Sequence, residues 1–196
     1  MLVLPALFDE ANKTRHLAVE TMRRLDAAGI DCVLPDLPGW NESLVPLQDQ
    51  TLTGWRESAK AAERHFGATH VLAIRAGAIL APQGLRGWRY APIGGATALK
   101  ALLRAQVISA REAGREASSE RLLEQGMREG LELAGYRLGA KMVAQLAAAQ
   151  LPDSGTVAEI GHDMVGGAAP WLRAEPGFDP AQADALAAIV AVGLRQ

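Results

Sequence analysis

The sequence predicts an α/β fold: an open, mostly parallel sheet with helices on both faces. Two observations carry this reading. Apolar runs too short for helices recur at residues 1–7, 31–35 and 69–74, each bounded by turn residues. Between them lie segments long enough for amphipathic crossover helices. A strand–helix–strand–helix–strand order with such crossovers means parallel strands.

The elements follow in chain order. Met1–Leu7 reads as a buried strand ended by Asp9. Asn12 is the predicted N-cap of a helix from Lys13 to about Ala28. Leu17, Met22 and Leu25 form its apolar face, Lys13, Arg15, Arg23 and Arg24 stay wet, and Gly29 stops it. Asp31–Pro35 is the second buried strand, followed by a turn at Asp36-Leu37-Pro38-Gly39. Thr51 or Thr53 caps a helix to about Phe66, and Thr69–Ile74 is the third strand. Leu85–Pro92 is a candidate fourth strand. Residues 94–150 read as a helical, alanine-rich insertion, broken near Gly114 and Ser118-Ser119 and divided at Gly135-Tyr136. Glu112, Glu116, Glu120 and Glu124 would share a flank only if that helix were continuous. Thr156–Ile160 is a further strand. Pro180 opens a terminal helix to about Leu194. The whole of 1–196 reads as one domain.

Composition narrows the function classes. The chain is 49% hydrophobic and 21% charged, which excludes disorder, and its 37 alanines favour helices. No uncharged apolar run approaches 18 residues, so no membrane span is expected. One cysteine, Cys32, excludes a disulfide framework, and its place in a predicted strand makes it a core residue. The first ten residues lack a basic region and do not read as a signal peptide, so the expected compartment is the cytoplasm. The net charge of −2 gives no reason to expect nucleic acid. That near-neutrality is a cancellation, however. No acid occurs between Glu63 and Glu112, while Arg64, Arg75, Arg86, Arg89, Lys100, Arg104 and Arg111 do, so this stretch carries +7 and the remainder −9. Such a block suits an anionic ligand, a charged partner or the protein's own acidic face, and equally basic side chains solvated on different faces.

The junction after the third strand carries the main clue. A strand running into a tight turn flanked by small residues is the arrangement that lifts a nucleophilic serine in a G-x-S-x-G elbow. Here the aligned segment is Ala73-Ile74-Arg75-Ala76-Gly77, with small neighbours in place and Arg75 where the serine would stand. A guanidinium stays protonated and cannot attack a carbonyl. An arginine that simply ends a strand is the alternative.

Six segments then resemble one family in order. Phe8-Asp9-Glu10-Ala11-Asn12-Lys13-Thr14-Arg15 is similar to the F-x-E-E-x-N-K-S-R segment of the exosortase A system-associated hydrolases of type 2, members of the α/β-hydrolase superfamily. Leu34–Ser43 (LPDLPGWNES) resembles that family's L-P-D-L-x-G-x-G-D-S, and Ile74–Ala78 (IRAGA) its L-R-L-G-A, where arginine also tends to replace serine. Trp88–Pro92 resembles L-W-Q-P-V, Leu133–Tyr136 resembles V-A-G-Y, and Pro170-Trp171 with Glu175 resembles P-F-W-x-x-E. The resemblance implies an α/β-hydrolase-like sheet with the 94–150 insertion in place of a lid. It also implies a link to bacterial exopolysaccharide and protein-sorting loci, and ester or thioester hydrolysis as the nominal reaction. Two departures stand out. Asn41-Glu42-Ser43 replaces glycine-acid-serine, and the chain begins at what would be the third strand of a full hydrolase sheet. The sheet edge this leaves uncovered predicts a homodimer or a hetero-partner, with a solvated, charged edge in a monomer as the alternative.

Candidate site residues follow from this frame. His162, just past the predicted strand at 156–160, is the candidate catalytic histidine. Ser43, in a loop beyond the second strand, is the candidate but unaided nucleophile. A loop histidine is more often exposed and inert. His16, His65 and His70 read as surface or element-end residues. Arg75, Glu10, Asn12, Asp36 and Trp40 are the candidate ligand-binding residues, because carboxyl ends of parallel strands converge on one crevice. Arg75 would there grip a carboxylate or phosphate, or pair with Asp9, Glu10 or Asp36 to hold loops together. Trp40 and Trp55 would line that crevice or pack beneath it. No metal-ligand spacing, G-x-G-x-x-G or P-loop occurs, so no metal and no cofactor is expected. Two functions remain: a hydrolase of this family acting on a small ester, or a non-catalytic relative that binds an anionic small molecule or a partner protein. The residues favour the second, since no activated nucleophile is identifiable.

Overall fold

The computed structural model describes residues 1–153 and 155–195. Four strands, β1 (Leu2–Leu4), β2 (His70–Ile74), β3 (Arg86–Tyr90) and β6 (Val157–Ile160), form one sheet in the order β1-β2-β3-β6, every neighbouring pair parallel. The predicted fold class is therefore observed. Alternation along the strands sends side chains to two separate layers. Leu2, Leu4, Val71 and Ala73 join one core with α2 (Leu52–Phe66), α3 (Gly95–Glu112) and α5 (Ala140–Ala148). Val3, Leu72, Ile74 and Tyr90 join the other with α1 (Asp9–Ala27) and α7 (Pro180–Gly193). Strands buried on both faces explain why 2–4 and 71–74 are continuous apolar runs rather than alternating ones.

Several elements match the sequence reading closely. Thr51 caps α2 by accepting from the Gly54 amide (3.0 Å), and Gly67 ends it in the left-handed conformation. Pro180 occupies the first turn of α7, behind an Asp179 cap. The insertion breaks at Gly114, between α3 and α4 (Ser119–Glu129), so the four glutamates do not share one flank.

Three expectations are corrected. Helix α1 begins at Asp9, not after Asn12. Its start is set by Phe8, which takes φ 57° and is 1% exposed among Trp40, Trp55 and Tyr136. Burial of that ring turns the chain there, and Asp9 and Glu10 then occupy the positive end of the helix. Residues 31–35 are not a buried strand. They contribute one bridge, Leu2 to Val33, with Val3 N–H donating to the Val33 carbonyl (2.8 Å) and Val33 N–H to the Met1 carbonyl (2.9 Å). Pro35 has no N–H to continue the ladder, and the segment lies at the sheet edge, half-buried. Cys32 accordingly is half-buried, and burial pushes its thiol pKa up. Lastly, Leu131–Leu133 (β4) and Tyr136–Leu138 (β5) form an antiparallel hairpin within a stretch read as helical. Ala134 and Gly135 both have positive φ, the geometry of a tight two-residue turn.

Helix α7 closes the second face through Ala183, Leu186 and Val190, all 0% exposed, against α1, where Arg24 also pairs with Asp184. Leu186→Ala should lower unfolding free energy by about 2–5 kcal/mol, the usual cost of a cavity at a closed site. Urea denaturation checks this; a loss under about 1 kcal/mol would mean α7 is not part of the cooperative unit.

Candidate functional site

The carboxyl ends of all four parallel strands meet at Arg75. Strand β2 ends at Ile74, Arg75 takes φ 52°, and a six-residue 3₁₀ turn (Arg75–Leu80) follows. A non-glycine residue in this region is uncommon and stores strain of order 1 kcal/mol or more. The turn is possible because Gly77 lies against the end of β1: an added Cβ would press into the carbonyl oxygen of Pro5. The expected strand-to-turn elbow with small neighbours is thus present in geometry. The helix expected after it is a buried 3₁₀ turn instead.

The Arg75 guanidinium is engaged on every side. Nε and Nη2 donate to the two carboxylate oxygens of Glu10 (2.9 and 3.0 Å), a bidentate fork. Nη1 donates to the Ala91 carbonyl at the end of β3 (2.8 Å). The guanidinium carbon stands 4.1 Å from the ring centre of Trp171. The pair is largely inside, with side chains 12% and 18% exposed. Glu10 is therefore the acidic partner among the three considered. Asp36 instead accepts from the Asn41 side chain (2.6 Å), and Asp9 pairs with Lys13 (2.7 Å).

His162 follows β6 and reaches the same point. Its ring packs edge-on against Trp171, and its Nε2 lies 3.1 Å from the Gly167 carbonyl, which can only accept. In a neutral ring Nδ1 is then the acceptor, and the Tyr90 hydroxyl donates to it at 2.7 Å. Both ring nitrogens are occupied. Gln182, 2% exposed, holds the intervening loop by donating to the Gly166 and Ala168 carbonyls (2.8 and 2.9 Å). Ser43 lies elsewhere. Its Oγ accepts from the Gly39 amide (2.9 Å) and staples the turn predicted at 36–39. No hydrogen bond joins Ser43 to His162 among the described residues.

The remaining candidates separate from Arg75. Asn12, Asp36 and Trp40 line a dimple of about 10 Å³, room for roughly one water, which neither Glu10 nor Arg75 lines. Trp40 stacks on Tyr136 (5.4 Å, 4° between planes) and meets Trp55 edge-on. Trp55 is fully buried and donates its indole N–H to the Pro38 carbonyl. Trp55 belongs to the core on the α2 face, and Trp40 packs against that core. Two contributors carried no role in the sequence reading: the Ala91 carbonyl, aimed by a φ of 43°, and Trp171, singled out only through the Pro-Trp resemblance. Of the acid-free block, Arg64, Arg86, Lys100, Arg104 and Arg111 are exposed, whereas Arg75 and Arg89 point inward. No group of three or more histidine, cysteine and acidic side chains is disposed to hold a metal among the described residues.

No protein-family model and no curated protein matches the chain. Among solved structures, it is similar to a "Putative hydrolase from Agrobacterium vitis S4", with 14% identity, coverage of 99% of this chain and 85% of that chain, and a TM-score of 0.47.

Two outcomes are expected here. Arg75→Met leaves the Glu10 carboxylate largely buried without its cation and should cost roughly 2–4 kcal/mol, much of it recovered in the Arg75→Met/Glu10→Gln double variant. Additive losses in that cycle would mean the two side chains act independently. Burial also raises the pKa of both tyrosines, Tyr90 and Tyr136, above their ordinary value of 10. The unfolded chain then releases these protons first, so their contribution to stability is complete below pH 10 and is lost as pH climbs beyond it. Tyrosinate absorbance should stay absent past pH 10 until the chain unfolds; titration of either ring at its ordinary value in folded protein would contradict this.

Proposed function

We propose that this chain is an α/β-hydrolase-fold protein that works by binding rather than by ester chemistry, a divergent relative of the exosortase A system-associated hydrolases of type 2. The observation that carries this reading is Arg75 itself: it occupies the left-handed elbow position, with its guanidinium committed to Glu10, Ala91 and Trp171. Three further features support it. The six family-like segments run in order along the chain. The candidate nucleophile Ser43 accepts from the Gly39 amide and makes no hydrogen bond to His162 among the described residues. The candidate base His162 has both nitrogens occupied.

The dimple lined by Asn12, Asp36 and Trp40 holds no more than a water, and the Arg75 guanidinium is already paired, so a docked protein surface suits that end of the sheet better than a small molecule. On this reading the partner pairs with a sheet edge, as a second copy or a different chain. Strand β6 is one such edge, with Ala158 and Glu159 exposed. Among the described residues no helix is long and apolar enough to cross a membrane, and a cytoplasmic site of action fits the proposal. A hydrolase acting through His162 is the second reading. It is favoured by one fact: His162 lands beside Trp171, next to the elbow.

One assay separates the two. p-Nitrophenyl esters of several chain lengths and an acyl-CoA thioester should show no turnover above the protein-free rate with the native chain. Turnover that disappears in Ser43→Ala or in His162→Ala would overturn the binding reading.

A further inference from the structure

A second arginine of the acid-free block is buried, and no ion pair reaches it among the described residues. Arg89, on β3, is 2% exposed. A guanidinium has five N–H groups. Among the described residues one bond is made, from Nη2 to the Asp153 carbonyl (2.9 Å), while Nε is buried with no partner. Glu159, its Cα partner across the β3–β6 ladder, is exposed, and no ion pair joins the two among the described residues. A buried cation served by one carbonyl dipole is costly, because a partial charge replaces the hydration of a full one.

Arg89 lines a cleft of about 650 Å³ at the amino ends of β3 and β6, the opposite end of the sheet from Arg75. Its walls mix polar groups with an apolar side made by Ala81, Pro82, Leu85, Leu151, Pro152 and Val157. The Thr156 hydroxyl, which donates to the Leu85 carbonyl (3.0 Å), and the Gln83 side chain add polar atoms. One carboxylate, that of the exposed Asp153, stands among the lining residues and repels any excess of negative charge. A concave site that combines an apolar wall with one convergent cation has the form of a small-molecule pocket.

We propose that this cleft binds a small organic monoanion, with its acidic head on Arg89 and its apolar body against the Leu85, Leu151 and Val157 wall. The single cation and the Asp153 carboxylate together select one negative charge over a polyphosphate. The apolar walls select an acyl or aryl body over a bare inorganic ion. The site does not depend on how the Arg75 elbow works, so its success or failure is independent of the ester assay.

Octanoate is the probe, with octanol, inorganic phosphate and sulfate beside it, read by calorimetric titration and by thermal melting of the full chain. Octanoate should bind and raise the melting temperature, whereas octanol, phosphate and sulfate should not. Arg89→Met should weaken octanoate binding by about 10–100-fold, the usual worth of a charge-assisted hydrogen bond, while circular dichroism stays native. Should that variant fail to fold, Gln83→Trp, at an exposed position on the rim, should block octanoate without touching the cation. Unchanged octanoate affinity in a folded Arg89→Met or in Gln83→Trp would overturn the proposal. So would phosphate or sulfate acting as strongly as octanoate. A Glu159→Gln variant that loses stability, in a chain that ignores octanoate, would show that Glu159 neutralises Arg89 and would equally overturn it.

Discussion

The bidentate pair between Arg75 and Glu10 ties together the ends of every strand in the main sheet. Glu10 follows β1, Arg75 follows β2, the Ala91 carbonyl ends β3, and Trp171 and His162 follow β6. Three of these junctions are built on non-glycine residues with positive φ: Phe8, Arg75 and Ala91. Each such residue stores local strain, and strain of this kind persists only where the surroundings over-determine it. Here the surroundings are explicit. Phe8 is held by its aromatic cluster, Arg75 by Glu10 and by Gly77 seated on Pro5, and Ala91 by its amide on the Ile160 carbonyl (2.9 Å). Removal of the ion pair would therefore release more than one contact.

The same geometry decides what that end of the sheet can do chemically. In open parallel sheets the crevice beyond the strand termini is where ligands bind, because backbone amides and loop side chains converge there. In this protein the convergent groups satisfy one another. The cation has its carboxylate and a carbonyl, the imidazole has its phenol and a carbonyl, and the indole is covered by both. A small ligand would have to displace a charge-assisted fork to enter. A protein surface that covers the outside of the network has no such exchange to make.

How much of this was legible in sequence depended on whether the cause was local. The α2 cap, read as Thr51 or Thr53, its end near Phe66 and the Pro180 start are decided by residues within a turn of the feature they make, and all three are observed, with Thr51 as the cap. So is the elbow, whose small neighbours stand beside Arg75 in the chain. Helix α1 was misplaced because its start is fixed by burial of Phe8 against Trp40, Trp55 and Tyr136, residues 32 to 128 positions away. The hairpin at 131–138 was missed because an Ala-Gly turn lacks the Asn-Gly or Asp-Gly signature of a tight turn, and its three-residue strands are too short to show a period. Residues 31–35 have a strand's composition, yet their pairing depends on a place at the sheet edge that composition does not encode.

Arg89 shows a signal that was present and unread. Its neighbours Trp88 and Tyr90 belong to the α1–α7 face, so alternation sends Arg89 to the opposite one. Beyond its exposed first residue, Arg86, strand β3 is flanked on both sides and covered on both faces, so Arg89 in its interior is buried. The acid-free stretch from 64 to 111 then has a consequence that a count of charges hides. Within such a stretch, a buried cation can find no carboxylate nearby in sequence and must recruit one across the fold. Arg75 does so from 65 residues away, because the turn at Phe8 delivers Glu10 to it. Among the described residues Arg89 has no equivalent: the loop that reaches it from the β6 side offers the Asp153 main-chain carbonyl, and Asp153 itself is exposed. Two arginines from one basic block thus sit in opposite electrostatic states. One is closed by its own chain; the other lines a cleft with a single carbonyl for a partner among the described residues.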